Sequence, residues 1–182
     1  MKKIIICVLL YCSPSYLIAI ALPDTPDGYD WTSYEEAKSA FLKPDNWYVK
    51  KEKRGNTRAL FLTKENIDKE DKFQTGLSVN VISNFSSSGN RPTSYAANYI
   101  MEIEKTRDIV LKPFLNKMAD GIVGMGIRYR DVSKEPIILI HYCIIADDKA
   151  DTLRLMFSES PEIYWDEEWR HGEKMLKGQL WR

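Results

Sequence analysis

Apolar residues recur along this chain with distinct periods, and each period marks an element. Leu77, Val79 and Val81 alternate with Ser78 and Asn80, so 76–85 is expected to be a strand with one buried face. Residues 121–132 also alternate, with Ile122, Gly124, Gly126, Arg128 and Arg130 on one side and Val123, Met125, Ile127 and Tyr129 on the other. Residues 136–146 are apolar on both sides, the pattern of a central strand covered on both faces. A third strand is expected over 152–158, joined to the second through the polar turn 147–151. Upstream, 47–53 and 57–64 flank Arg54-Gly55-Asn56; Gly and Asn tolerate positive φ, so a hairpin is predicted there.

Helical signals appear three times. Ser33 followed by Glu36 forms a capping-box pattern ahead of a helix over 34–42, which Pro44 closes. Ala96, Tyr99 or Ile100, and Ile103 make an apolar stripe on a helix over 94–107, with Thr93 as its cap. Trp165, Trp169, Gly172 and Leu176 stand at i, i+4, i+7 and i+11 of a third helix, which begins at Pro161 with Ser160 as cap. Residues 22–32, rich in Pro, Asp and Gly, predict an irregular lead-in; 66–74 and 86–92 predict loops, and Pro113 leaves 108–120 without a regular element. Short connections between neighbouring strands make the sheet mostly antiparallel. The expected fold class is α+β, an α-β-α sandwich with a central sheet of about six strands and about three helices.

The N-terminus has a pattern of its own. Lys2 and Lys3 precede an apolar run of about 17 residues, and Ala19-Ile20-Ala21 supplies small residues at −3 and −1 of a cleavage point between Ala21 and Leu22. The run is only marginally long enough to span a bilayer, Ser13-Pro14-Ser15 interrupts it, and no basic cluster follows. A lipoprotein reading would use Cys12, but Tyr11 is bulky where a small residue belongs. The organisation expected is a cleavable signal peptide over 1–21, a lead-in over 22–32, and one domain over 33–182, exported to the periplasm or beyond, with no stable membrane insertion after cleavage. Loss of 1–21 removes Lys2 and Lys3 and takes 26 basic and 26 acidic residues to 24 and 26, so charge offers no reason to bind nucleic acid. Cys7 and Cys12 leave with the signal; Cys143 alone remains, and no disulfide within the mature chain is expected.

Candidate chemistry is sparse. His141 and Cys143, two apart on one strand, share a face and could begin a metal site, but no other residues complete a ligand spacing. Packing against a helix is the expected role of the pair. His171 is placed on the polar side of the last helix, and the acidic run Asp166-Glu167-Glu168 complements a helix N-terminal half without calling for a cation. With two histidines in the chain and no Gly-x-Ser-x-Gly elbow, a hydrolytic triad has few candidates. Gly121, Gly124 and Gly126 resemble a nucleotide loop only on the surface, because strand rather than helix follows them. Gly124 and Gly126 are expected to let a helix approach the sheet. Together with Arg128 and Arg130 they form the candidate ligand or partner patch, an anion-binding crevice being the ligand version. Asn84-Phe85-Ser86 is formally a glycosylation sequon.

Several segments resemble the PsbP-like family. Phe41 to Val49, with Pro44 ahead of Trp47, is similar to that family's opening, Gly76 to Ile82 to its next core strand, and Thr93 to Ile103 to its capped helix with a Tyr-Ala pair. Leu153 to Phe157, followed by Trp165, Trp169, Gly172, Met175 and Leu176, resembles its last strand and closing helix. Lys43 departs from the small residue usual near the opening motif, and the photosystem-binding N-terminal segment is not recognisable. The resemblance covers about 34–181 and implies an α-β-α sandwich shared with an extrinsic oxygen-evolving-complex subunit and a Ran-GTPase-binding import factor. It implies no catalytic set and no cofactor. The function expected is an exported, non-enzymatic accessory module that binds a protein partner, with small-ligand (anion) binding or sensing as the alternative.

Overall fold

The computed structural model describes residues 22–70, 72–117 and 121–181, so the expected signal segment and Ala21 lie outside the described residues. A seven-stranded antiparallel sheet forms the centre. It comprises β3 (Tyr48–Arg54), β4 (Thr57–Thr63), β5 (Gly76–Ser83), β6 (Asp108–Lys117), β7 (Val123–Asp131), β8 (Ile138–Asp147) and β9 (Thr152–Pro161), in the order β3-β4-β5-β9-β8-β7-β6. A separate sheet joins β1 (Tyr29–Tyr34), β2 (Ser39–Pro44) and β10 (Leu180–Trp181) in the order β1-β2-β10. Among the described residues the α-helices are the single turn α1 (Ile67–Glu70), α2 (Pro92–Thr106) and α3 (Trp165–Lys177). The fold class is α+β, as the alternation patterns and short connections imply.

Strand periodicity sorts the core into two layers. In β8, Ile138, Ile140, Tyr142, Ile144 and Ala146 face α2 and meet Ala96, Ile100 and Ile103. The intervening Ile145 joins Leu60, Leu62, Leu77, Val79 and Met156 on the opposite face, beneath Met175 of α3 and Tyr34 and Phe41 of the small sheet. This two-sided burial is what the unbroken apolar run of 138–146 requires. The 54–57 hairpin forms as expected, with Gly55 at φ +56°.

Five local expectations are overturned. The capping-box pattern at Ser33 and Glu36 does not start a helix: 33–42 supplies the end of β1, a 3-10 turn over Glu35–Ala37, and most of β2. Six register pairs between β1 and β2, from Tyr29↔Pro44 to Tyr34↔Ser39, bury Tyr34, Ala40 and Phe41, and this non-local pairing outweighs a local propensity of a few tenths of a kcal/mol per residue. The same pairing makes the end of the 22–32 lead-in a strand. The ambiguous 108–120 contains β6, an edge strand whose register shifts on either side of Leu111 accommodate Pro113. Ser160 caps nothing, because β9 runs through Pro161 and a 3-10 turn, Glu162–Tyr164, precedes α3. Thr93 lies within α2 instead of capping it. Its N–H and hydroxyl donate to the two oxygens of Asp148 at 2.9 and 2.7 Å, so the β8–β9 turn supplies the helix's N-terminal acceptor. Those bonds hold the Asp148 carboxyl below the usual carboxylate range.

α3 is seated by one close approach. A Cβ on Gly172 would collide with Ser158 Oγ and lie 3.2 Å from Ser158 Cβ, both on β9. Gly172→Ala should therefore cost about 1–3 kcal/mol by overpacking, measured as a lowered urea midpoint at unchanged slope. A smaller cost in a Ser158→Ala background would tie the effect to this contact.

Candidate functional site

The sheet's α3 face carries a connected group of polar and aromatic side chains. Strand register places Gly126, Cys143 and Met156 in one row, and Arg128, His141 and Ser158 in the next. Trp165 and Trp169 of α3 stack at 5.3 Å with a 13° interplanar angle. The Arg128 guanidinium sits over both, 4.7 Å from the Trp165 ring and 4.3 Å from that of Trp169. His141 lies 4.6 Å from the Trp169 ring and 6.2 Å from Phe114 on β6. Phe114 in turn covers Gly126, where a Cβ would come within 2.5 Å of its Cε1.

Beside this stack a groove of about 410 Å³ opens between α3 and β6–β8. Phe114, His141, Cys143, Met156, Trp169 and Leu176 make its apolar wall, and Asn116, Glu173, Lys177 and Gln179 stand at its polar margin. On β6, Val110, Leu111, Phe114 and Leu115 are all exposed; Phe114 lines the groove and Leu111, opposite Arg128, shares its face, whereas Leu115, opposite Met125, lies on the α2 side. Pro113 and the two register shifts blunt this edge for strand addition. The β6 strip therefore offers apolar side chains more readily than free backbone.

The groove environment favours neutral groups. Burial, and next the positive charge of Arg128, push the His141 imidazole down to about 4. Burial pushes the Cys143 thiol up to about 11 against the opposing pull of Arg128. Cys143 Sγ and His141 Nε2 are 3.3 Å apart, and His141 Nδ1 is buried with no partner among the described residues. A thiol and a neutral imidazole in this state oppose nucleophilic attack by sulfur, which needs the thiolate. Among the described residues no group of three His, Cys, Asp or Glu is placed to hold a metal ion.

The four residues of the candidate patch separate here. Gly124 lines the groove, and Gly126 lies beneath Phe114. Arg128 is committed to the two tryptophans. Arg130 sits at the far end of β7, paired with Glu162 at 2.6 Å and Asp108 at 3.4 Å. They do not converge on one anion crevice. His171 is not a free surface residue either: its Nδ1 is 2.6 Å from Tyr29 Oη, and its ring packs 5.7 Å from Trp47. In the acidic run, Glu168 is buried and takes Lys64 as its cation. Phe85 of the sequon is buried in the α2-side core. The β6 strip and its groove escaped the sequence reading because Pro113 hid the strand. The signal was Val110-Leu111 and Phe114-Leu115 flanking that proline.

No family model matches the chain, and neither does any curated protein. Solved structures do. The solution structure of cyanobacterial PsbP (CyanoP) from Synechocystis sp. PCC 6803 aligns over 87% of this chain and 95% of its own, with a TM-score of 0.55 at 11% identity. This chain has a PsbP-like fold. Two further similarities are to the Ran-binding protein Mog1p of Saccharomyces cerevisiae (TM-score 0.44, 11% identity, 84% of this chain and 94% of that one) and to PA94 of Pseudomonas aeruginosa, a protein of unknown function (TM-score 0.43, 10% identity, 80% and 94%). At these identities the PsbP likeness establishes architecture and leaves function to the site itself.

Proposed function

We propose that this protein is an exported, non-enzymatic binding module whose α3–β6 groove receives apolar side chains of a protein partner. The observation that carries this reading is the exposure of Leu111 and Phe114 of β6 on the sheet face where the apolar groove opens, with Phe114 lining it. An apolar floor with a polar margin is the anatomy of a protein-interface anchor pocket. Contiguous exposed apolar surface on one edge is otherwise a liability that soluble proteins avoid. The 1–21 pattern supports export, with cleavage after Ala21. The anion-binding alternative loses support, since Arg128 and Arg130 are both engaged elsewhere.

The test is site-specific photocrosslinking in the native host, with the probe at position 116 on the groove margin or at position 105 on the outer side of α2. The reading expects one discrete protein adduct from 116, none from 105, and loss of the adduct when Leu111→Asp is added. Equal labelling from both positions, or an adduct indifferent to Leu111→Asp, would overturn it.

A further inference from the structure

The face of the sheet that carries α2 is not fully covered by it. Near the ends of β5, β8 and β9, Lys72, Phe73 and Gln74 from one connection and Lys134, Glu135 and Pro136 from another gather around Glu159. Two adjoining cavities, of about 170 and 470 Å³, meet there and share Lys72, Phe73, Lys134 and Glu159. Gly76, the register partner of Glu159 on β5, lets Phe73 pack close over the strand, its Cδ2 3.2 Å from where a Cβ would stand. The apolar walls are Phe73, packed edge-on against Phe61 at 6.2 Å, and Ile138 and Ile140 of β8.

The charged groups of this cleft fall into two sets. Lys50 and Arg54 pair with Glu52, Lys50 also with Asp68, and Asp131 with Arg107 and Ser133. By contrast, the side chains of Glu159, Glu135, Lys72 and Lys134 form no ion pair or hydrogen bond among the described residues. Glu159 is the most enclosed of these. Burial, opposed by Lys134 and reinforced by Asp131 and Glu65, raises its carboxyl to about 7. A half-buried carboxylate is better satisfied by a fixed donor than by none. It is stabilised by whatever brings a donor, and the two lysines beside it call for an acceptor in the same small molecule.

We propose that this cleft is a second binding site, for a small zwitterion with an apolar side chain: an α-amino acid, or the free N-terminal residue of a short peptide. The ammonium group donates to Glu159, an anionic oxygen meets Lys72 and Lys134, and the side chain lies against Phe61 and Phe73. The site is on the sheet face opposite the α3–β6 groove and does not depend on the role proposed for that groove.

Isothermal titration of the purified protein with L-leucine and L-phenylalanine tests it, with their N-acetyl and amide derivatives and a Leu-Leu dipeptide as comparisons. The free amino acids should bind, N-acetylation should abolish binding, and amidation should weaken it. Dipeptide binding tighter than that of leucine would identify a peptide end as the source, and weaker binding the free amino acid. Glu159→Gln and Lys134→Ala should each weaken binding about 10-fold or more, equivalent to about 1.4 kcal/mol, while leaving the fold intact by circular dichroism. Because an ionised Glu159 is the acceptor, affinity should rise between pH 6 and 8, and binding near pH 6.5 should release protons into the buffer. No binding of either amino acid, or equal binding of the N-acetylated forms, would overturn the proposal. So would an affinity unchanged in Glu159→Gln.

Discussion

Trp165→Ala should lower the stability of this protein by about 3–5 kcal/mol, the range for removing a buried tryptophan. Single domains retain only about 5–15 kcal/mol in total, so the variant should be partly unfolded at 37 °C. Trp165 is 5% exposed, and it is the residue on which α3, β7 and the Trp169 ring converge. Its removal leaves a cavity that α3 cannot close, since Gly172 already holds the helix against Ser158. Chemical denaturation followed by tryptophan fluorescence measures the loss. A cost under about 1 kcal/mol would mean that α3 is not fixed to the sheet as described.

The same variant also tests the Arg128 stack. A guanidinium over two rings with its Nε buried and unpartnered derives its stabilisation mainly from the aromatic faces. A desolvated cation–π contact is worth about 2 kcal/mol. Arg128→Met keeps the aliphatic stem and removes the charge. It should cost less in the Trp165→Ala background than in the parent, with a coupling of about 1 kcal/mol in a double-mutant cycle.

How much of this was legible beforehand follows from the range of the forces involved. The strands β5, β7, β8 and β9 and the helix α2 were readable because their burial patterns repeat within a few residues and match the final layers. The helix expected over 34–42 failed because Ser33 and Glu36 satisfy a local rule, while Tyr34 and Phe41 are claimed by a core assembled from β4, β5 and α3. Nothing within ten residues of Ser33 records that demand. β6 was obscured by Pro113, which an edge strand tolerates and a central strand does not. At the sites, the sequence placed Arg128 and Arg130 on one strand face correctly. Their separate fates depend on partners 32 to 41 residues away, namely Glu162, Trp165 and Trp169. The Glu159 cleft had no local signature, because its charged groups come from five separate strands and connections.

Glu159→Gln should stabilise the protein by about 2 kcal/mol at pH 8 and leave it unchanged at pH 4. In the fold the Glu159 carboxyl sits at about 7, above its ordinary 4.5. Between those values the folded state holds a proton that the unfolded chain has released, so stability falls as pH rises from 4.5 to 7. The full shift corresponds to about 3 kcal/mol, reduced here to about 2 because the carboxyl opens onto the cleft. His141 works in the opposite sense. Its imidazole is held at about 4 rather than 6.5, so from pH 6.5 down to 4 the unfolded chain binds a proton that the fold refuses, and stability falls on acidification. The two slopes oppose each other between about pH 4.5 and 6.5 and flatten the wild-type profile there. Glu159→Gln removes one of them. Its stability should climb steadily with pH over that window, and the difference from wild type should grow from zero near pH 4 to its full value above pH 7. Taking the difference cancels every other titrating group, including Asp148 with its lowered carboxyl. Urea midpoints at half-unit pH steps provide the measurement. A difference independent of pH would show that Glu159 titrates like an exposed carboxylate and that the cleft does not enclose it.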